Sequence, residues 1–69
     1  MGNKFAENFK TLRLEKGLGQ EKLSKELKVS KGIISLWENG LREPSMSSLI
    51  LVARYFDVSI DWLVGLKDA

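Results

Sequence analysis

The chain contains neither cysteine nor histidine among its 69 residues. Without cysteine there is no disulfide and no thiolate metal site, and without histidine there is no imidazole ligand and no use of the commonest general base. A chain this short also leaves little room for an enclosed active site beside a hydrophobic core. We therefore expect no enzyme, no metal site, no cofactor and no small-molecule ligand.

Long hydrophobic runs are also absent. The most apolar stretch, SSLILVA at 47–53, is too short to span a bilayer and is followed at once by Arg54. The N-terminal segment MGNKFAEN lacks the apolar region of a signal peptide. The sequence thus predicts a cytoplasmic protein with no membrane partner.

Charge is distributed unevenly along the chain. Residues 1–42 contain nine basic and five acidic residues, a net charge of +4, whereas residues 43–69 contain two basic and four acidic residues, a net charge of −2. A basic N-terminal part favours a polyanionic partner. An asymmetry of this size also arises by chance in small proteins, so charge alone leaves both interpretations open.

Apolar spacing predicts helices along the whole chain and one all-α domain. Phe5, Phe9 and Leu12 lie at i, i+4 and i+7, for example, which places them on one helix face. No segment alternates with period two for long enough to predict a strand. Predicted N-caps are Asn3, Ser30, Ser45 and Ser59. The five predicted helices lie within segments 4–17, 20–27, 30–40, 45–58 and 60–65.

The segment 20–39 has the pattern of a helix-turn-helix unit. Two helices of about eight residues are separated by the short connection KVS, which is typical of this motif. Its apolar positions should be those where the helices meet each other and the rest of the domain. These positions are Leu23, Leu27, Val29, Ile34 and Trp37.

The second helix of the unit, 31–38, is predicted to expose a face suited to close contact. At about 100° per residue, Ile34 and Trp37 define the buried direction. The opposite face then carries Gly32, Leu36 and Asn39, with Lys31 and Ser35 beside them. Small side chains and a few donors suit a helix in the major groove of DNA. An ordinary helical hairpin with Leu36 in a protein contact explains the same pattern.

With these motifs in order, the sequence resembles the Cro and phage-repressor type of helix-turn-helix domain, the Xre family. The matching elements are LRLEKGLGQEKLS, VSKGIISLWENG, REPS and FDVSIDWLVG, and the resemblance covers nearly the whole chain, residues 5–65. The resemblance implies a compact lambda-repressor-like bundle in which residues 1–69 form one DNA-binding domain and 31–38 form the recognition helix.

The resemblance also implies roles for individual residues. Base-reading positions are Lys31, Gly32, Ser35 and Leu36, and phosphate-contacting positions are Gln20, Ser30, Asn39 and Arg42. Arg13 and Glu38 match a structural salt bridge between the first helix and the recognition helix. Candidates for a dimer surface are Ile60, Asp61 and Val64, and Trp62 matches a core anchor of the last helix.

Two departures from the family pattern concern the surroundings of the recognition helix. Lys28 occupies a turn position that often holds a left-handed glycine, where a side chain costs about 1 kcal/mol. Leu41 stands where a basic residue is common, so one phosphate contact is expected to be missing. The first departure concerns the geometry of the turn and the second the affinity for DNA.

The sequence therefore predicts a sequence-specific transcriptional regulator, a repressor that binds a palindromic operator in double-stranded DNA as a homodimer. The alternative is a protein-interaction module of the same fold, such as an antitoxin or a component of a multiprotein regulator. Both a complete small regulator and the N-terminal head of a longer repressor are consistent with a chain that stops at GLKDA.

Overall fold

The computed structural model describes residues 2–68 and contains five helices, as the apolar spacing predicts. Within this range no residue is in a strand, and the body measures 28 × 22 × 20 Å. The helices are α1 (Phe5–Glu15), α2 (Gln20–Leu27), α3 (Lys31–Glu38), α4 (Met46–Phe56) and α5 (Ile60–Val64).

Serine side chains begin three of the helices. The side chains of Ser30, Ser45 and Ser59 each accept a hydrogen bond from the amide three residues later, which satisfies a donor that the helix leaves free. The predicted cap of α1 is wrong by one position. Lys4 is the N-cap of α1, and Asn3 instead accepts from the Phe5 amide at 2.9 Å.

The turn between α2 and α3 keeps its left-handed residue although that residue is lysine. Lys28 has φ 59° and ψ 40°, and the following Val29 amide donates to the Ser24 carbonyl at 3.0 Å. This geometry is the common way of ending a helix at a left-handed position, normally occupied by glycine. The departure from the family pattern therefore leaves the turn intact, at the cost of strain on Lys28.

An aromatic cluster joins α1 to α3. The rings of Phe5 and Phe9 lie 5.3 Å apart, and the Trp37 ring meets both edge-on, at 6.0 and 5.6 Å. Such edge-to-face contacts are favourable beyond the area they bury. Around the cluster lies the remaining core, formed by Leu23, Leu27, Ile34, Val52, Ala53 and Leu63. The second helix of the unit is thus anchored on its inner side by α1 as well as by α2.

Two predicted core positions differ from those observed. The buried stripe of α1 continues from Phe9 to Arg13, while Leu12 is only partly buried. In α5, Leu63 is fully buried and Trp62 is only partly buried, so Trp62 is not the main anchor that the resemblance implies. Asn8 fastens α5 from α1 by donating to the carbonyls of Trp62 and Leu63, at 3.0 and 3.3 Å.

Candidate nucleic-acid interface

A buried ion pair holds the end of α3 against α1. Arg13 Nε lies 2.6 Å from Glu38 Oε2, and Arg13 Nη2 donates to Glu38 Oε1 at 2.9 Å. Only 10% of the Arg13 side chain and 3% of the Glu38 side chain are exposed. The hydrogen bond to Glu38 raises the pKa of the Arg13 guanidinium above its ordinary value. The two-pronged geometry fixes the direction of α3 as well as its distance from α1.

Two further groups complete this ion pair. Arg13 Nη1 donates to the Leu18 carbonyl at 2.8 Å, and Gln20 Nε2 donates to Glu38 Oε1 at 3.1 Å. No buried side-chain nitrogen or oxygen within residues 2–68 is left without a hydrogen-bond partner. A buried pair whose hydrogen bonds are complete acts as a positioning device, since its net contribution to stability is small.

Gln20 is placed for two roles at the candidate interface. As the first residue of α2 it lies among the free amide groups of a helix N-terminus, which favour a phosphate. Its side-chain nitrogen is already directed to Glu38 at the end of α3. Gln20 therefore braces the end of α3 in the structure, and its phosphate contact stays a prediction.

The outer face of α3 is formed by the four predicted base-reading residues. Lys31 and Gly32 are exposed, whereas Ser35 and Leu36 are partly buried. The sequence predicts an exposed Leu36, whereas the Leu36 of the structure is only partly exposed. The chain leaves α3 at the left-handed Gly40, and the Leu41 amide donates to the Leu36 carbonyl at 3.0 Å, which closes the C-terminal end of the helix.

Gly32 leaves the first turn of α3 without a side chain on this face. A Cβ built there would meet only the Ser30 Oγ, at 3.8 Å, which is ordinary contact. Its φ is not in the left-handed region either. Neither crowding within the protein nor backbone conformation requires glycine at this position, and an external surface approaching α3 is a reason that remains for a small residue.

The other predicted phosphate contacts lie around the same helix. Ser30 is exposed at the beginning of α3, and Arg42 is exposed in the loop that follows it. Asn39 is exposed too, but its amide nitrogen donates to the Ser35 carbonyl at 2.9 Å and lies 3.3 Å from the Ser35 hydroxyl. The phosphate contact that the resemblance implies for Asn39 would require this amide to turn away from Ser35.

The predicted dimer residues lie on α5, which packs against α1 and α4. Asp61 is exposed, while Ile60 and Val64 are partly buried, and Ile60 packs against the core. Leu66, directly after α5, is 81% exposed and adds apolar surface near the same end of the chain. The α5 end therefore has an exposed apolar surface, to which Ile60 contributes less than a fully exposed side chain would.

Within residues 2–68 no helix is long and apolar enough to cross a membrane. The same residues contain no cluster of acidic side chains suited to hold a metal ion.

Residues 9–63 match the helix-turn-helix family, which is well over half of the chain. The chain belongs to the Xre-type helix-turn-helix family. This is a family of DNA-binding transcriptional regulators that are not enzymes. The resemblance inferred from the sequence is thereby confirmed.

Among curated relatives, this Xre-family chain is 43% identical over 61 residues to the HTH-type transcriptional activator BcrR of Enterococcus faecalis, covering 88% of the chain and 30% of BcrR. It is 35% identical over 60 residues to the uncharacterized HTH-type transcriptional regulator YqaE of Bacillus subtilis, covering 87% of the chain and 52% of YqaE. The chain thus spans between about a third and about half of the length of these relatives.

Two solved structures have the same fold. A transcriptional regulator from Listeria innocua has a TM-score of 0.86 at 35% identity, covering 94% of this chain and 61% of that one. The restriction-modification controller protein C.AhdI from Aeromonas hydrophila has a TM-score of 0.77 at 28% identity, covering 87% of this chain and 91% of that one. The all-α five-helix architecture is therefore that of helix-turn-helix regulators.

Sequence reasoning missed two contacts of the Xre-type site. One is the Leu18 carbonyl as the third partner of Arg13, which has no side-chain signature in the sequence. The other is the Asn39–Ser35 hydrogen bond, for which the spacing of four residues is a signal, because side chains four apart lie on one helix face.

Proposed function

We propose that this Xre-family chain binds a specific palindromic DNA sequence as a homodimer and represses transcription by occupying that site. In this proposal α3 enters the major groove, and Lys31, Gly32, Ser35 and Leu36 face the base edges. Gln20, Ser30 and Arg42 hold the register through phosphates. A cytoplasmic location belongs to the same proposal, because it brings the protein to chromosomal DNA.

The observation that carries the proposal is the contrast between the two sides of α3. Its inner side is fixed by Trp37 and the Arg13–Glu38 pair, while its outer side begins with the exposed Lys31 and the side-chain-free Gly32. An α-helix with its side chains is about 10–12 Å in diameter, which fits the major groove, about 12 Å wide. Contact with base edges requires a rigidly held helix whose outer face has small side chains, so that its backbone can approach the bases.

Charge on the outer face supports the same partner. Lys31 is exposed on α3 and Arg42 in the loop after it. The one acidic residue of α3, Glu38, is paired with Arg13 and turned inward. Glu43, beside Arg42, is exposed and accepts a hydrogen bond from Asn3. Leu36 offers an apolar contact to a thymine methyl. With so few donors on this face, much of the specificity should come from methyl contacts and from the shape of the DNA.

Dimerisation through the α5 end, at Ile60, Asp61 and Val64, would place two recognition helices on successive turns of one face of the duplex. Half-site centres about 34 Å apart are then expected. The apolar surface at Leu66 supports this location. Replacement of Asp61 by Lys in both protomers should weaken cooperative binding to the palindrome more than binding to an isolated half-site.

Selection of bound sequences from a random double-stranded DNA pool tests the proposal. We expect an enriched palindrome, and log K for that sequence should fall linearly as log salt concentration rises, because phosphate contacts release counterions. No enriched sequence at moderate salt would favour a protein-interaction module instead, and affinity independent of salt would contradict the phosphate contacts.

The direction of regulation needs a separate experiment. Placing the selected palindrome over a promoter in a reporter assay should lower transcription if occupancy excludes the polymerase. BcrR is named as an activator. A reporter that rises with the palindrome placed upstream would therefore replace repression by activation and leave DNA binding in place.

A further inference from the structure

The side chain of Asn39 is turned back onto the recognition helix. Asn39 is the C-cap of α3, and its Nδ2 lies 2.9 Å from the Ser35 carbonyl oxygen and 3.3 Å from the Ser35 Oγ. A carbonyl oxygen only accepts hydrogen bonds, so the nitrogen of the amide, and not its oxygen, must face it. Chemistry therefore determines the orientation of the Asn39 amide.

This orientation has consequences for both residues. Phosphate oxygens are acceptors, and a side-chain nitrogen that faces the helix is poorly placed to donate to them. The Ser35 hydroxyl accepts from Asn39 and must therefore direct its single proton elsewhere. Ser35 lies on the outer face of α3 beside Leu36, so its hydroxyl is available as a donor to a group that approaches this face.

We propose that Asn39 is a positioning residue that holds the Ser35 hydroxyl as a donor, and that Ser35 contacts a hydrogen-bond acceptor on a base edge in the major groove. Such acceptors are N7 and O6 of guanine, N7 of adenine and O4 of thymine. The proposal rests on the proposed function and specifies one base contact within it. It replaces the phosphate contact that the resemblance implies for Asn39.

The first experiment needs no DNA. NMR coupling constants of the Ser35 β-protons report whether its χ1 angle has one rotamer or several. We expect one rotamer in the wild-type protein and averaging in Asn39→Ala, with no averaging in Arg42→Ala, which changes an exposed side chain of the loop after α3. An unchanged Ser35 rotamer in Asn39→Ala would overturn the positioning role.

The second experiment compares base preferences. Asn39→Ala and Ser35→Ala should each reduce the preference for one base at the same position of each half-site, by about 2- to 10-fold, the range for a single hydrogen bond. The double variant should be no worse than either single variant, because Asn39 acts through Ser35. Arg42→Ala, the matched control, should weaken all sequences alike.

Different failures have different signatures in these experiments. If Asn39→Ala weakens all sequences alike, as Arg42→Ala does, Asn39 is a phosphate ligand and this inference is overturned while the proposed function stands. If the wild-type protein enriches no DNA sequence, the proposed function fails and the base contact fails with it. A preference lost at a position that Ser35→Ala leaves unchanged would also overturn the inference.

Discussion

The two sides of α3 use side chains in opposite ways. The inner side buries two charged residues, Arg13 and Glu38, and satisfies each of them with several hydrogen bonds. The outer side, at Lys31 and Gly32, is exposed and has charge and open space. The inner contacts contribute direction and rigidity, which leaves the outer side free to vary with the partner that it contacts.

The largest expected effect comes from removing the inner carboxylate. Glu38→Ala leaves the Arg13 guanidinium buried without its counter-charge, which costs about 3–5 kcal/mol of unfolding free energy. A domain of this size has only about 3–10 kcal/mol in total. Urea denaturation followed by circular dichroism measures the loss.

Two further variants sharpen this first prediction. Glu15→Ala removes an exposed helical carboxylate from α1 and should change stability by less than about 0.5 kcal/mol. Combining Arg13→Met with Glu38→Leu should recover much of the loss, since apolar residues of similar volume often replace a buried pair without cost. Equal losses for Glu15→Ala and Glu38→Ala would show that burial of the pair has no energetic consequence.

On the outer side, Gly32→Ala should separate stability from binding. Alanine is the better helix former by up to about 1 kcal/mol, and its Cβ meets only the Ser30 Oγ, so the variant should be at least as stable as the wild type. Binding to the selected DNA should fall by about tenfold or more, because the added methyl group lies where the bases approach. Thermal melts and fluorescence anisotropy measure the two effects.

Gly2→Ala is the matched control for this variant, since a Cβ at Gly2 meets nothing within 4 Å. We expect it to change neither stability nor affinity. Full affinity in Gly32→Ala would place the base contacts on another surface.

A smaller effect is expected at the turn that connects the two helices of the unit. Lys28→Gly removes a left-handed strain of about 1 kcal/mol, part of which is offset by the greater freedom of glycine in the unfolded chain. A net gain below about 1 kcal/mol should appear in urea denaturation. Lys28→Ala removes the same charge but keeps the Cβ, so it should give no gain; an equal gain would assign the effect to charge.

The smallest expected effect lies far from α3, at Tyr55. The hydrogen bond that its hydroxyl donates to Glu26 raises the pKa of Tyr55 above its ordinary value near 10. A raised pKa in the folded state means that this contribution to stability is present below the unfolded pKa and is lost as pH rises through the folded pKa. Tyr55→Phe should therefore be less stable at pH 7 by under about 0.5 kcal/mol.

The pH dependence is the contradicting test at this position. The difference between wild type and Tyr55→Phe in urea denaturation should shrink as pH rises above 10. If the stability difference between wild type and Tyr55→Phe stays constant up to pH 11, the hydrogen bond to Glu26 is not its cause.

Much of this architecture follows from local rules in the sequence. The spacing of Ile34 and Trp37 predicted the buried side of α3, and Ser30, Ser45 and Ser59 marked helix starts that the structure has. These features depend on residues within a few positions of one another. The structural pairing of Arg13 with Glu38 came only from the family resemblance, because no local rule joins residues 25 apart.

What local reasoning missed depends on parts of the chain that meet in three dimensions. Arg13 lies at a core position because Glu38 comes to meet it, whereas a charge at this spacing alone predicts an exposed side chain. Leu36 is only partly exposed, which the helix phasing of α3 alone does not give. Leu63, and not Trp62, is the fully buried residue of α5, a helix that Asn8 of α1 joins by hydrogen bonds.

The most direct test of the central claim compares the sequence preferences of Leu36→Ala and Arg42→Ala with that of the wild type, by selection from one random DNA pool. Leu36→Ala should change the preferred base at one or two positions per half-site, whereas Arg42→Ala should weaken binding to every sequence alike. A changed preference in Arg42→Ala together with an unchanged one in Leu36→Ala would contradict the assignment of the outer face of α3 to the major groove.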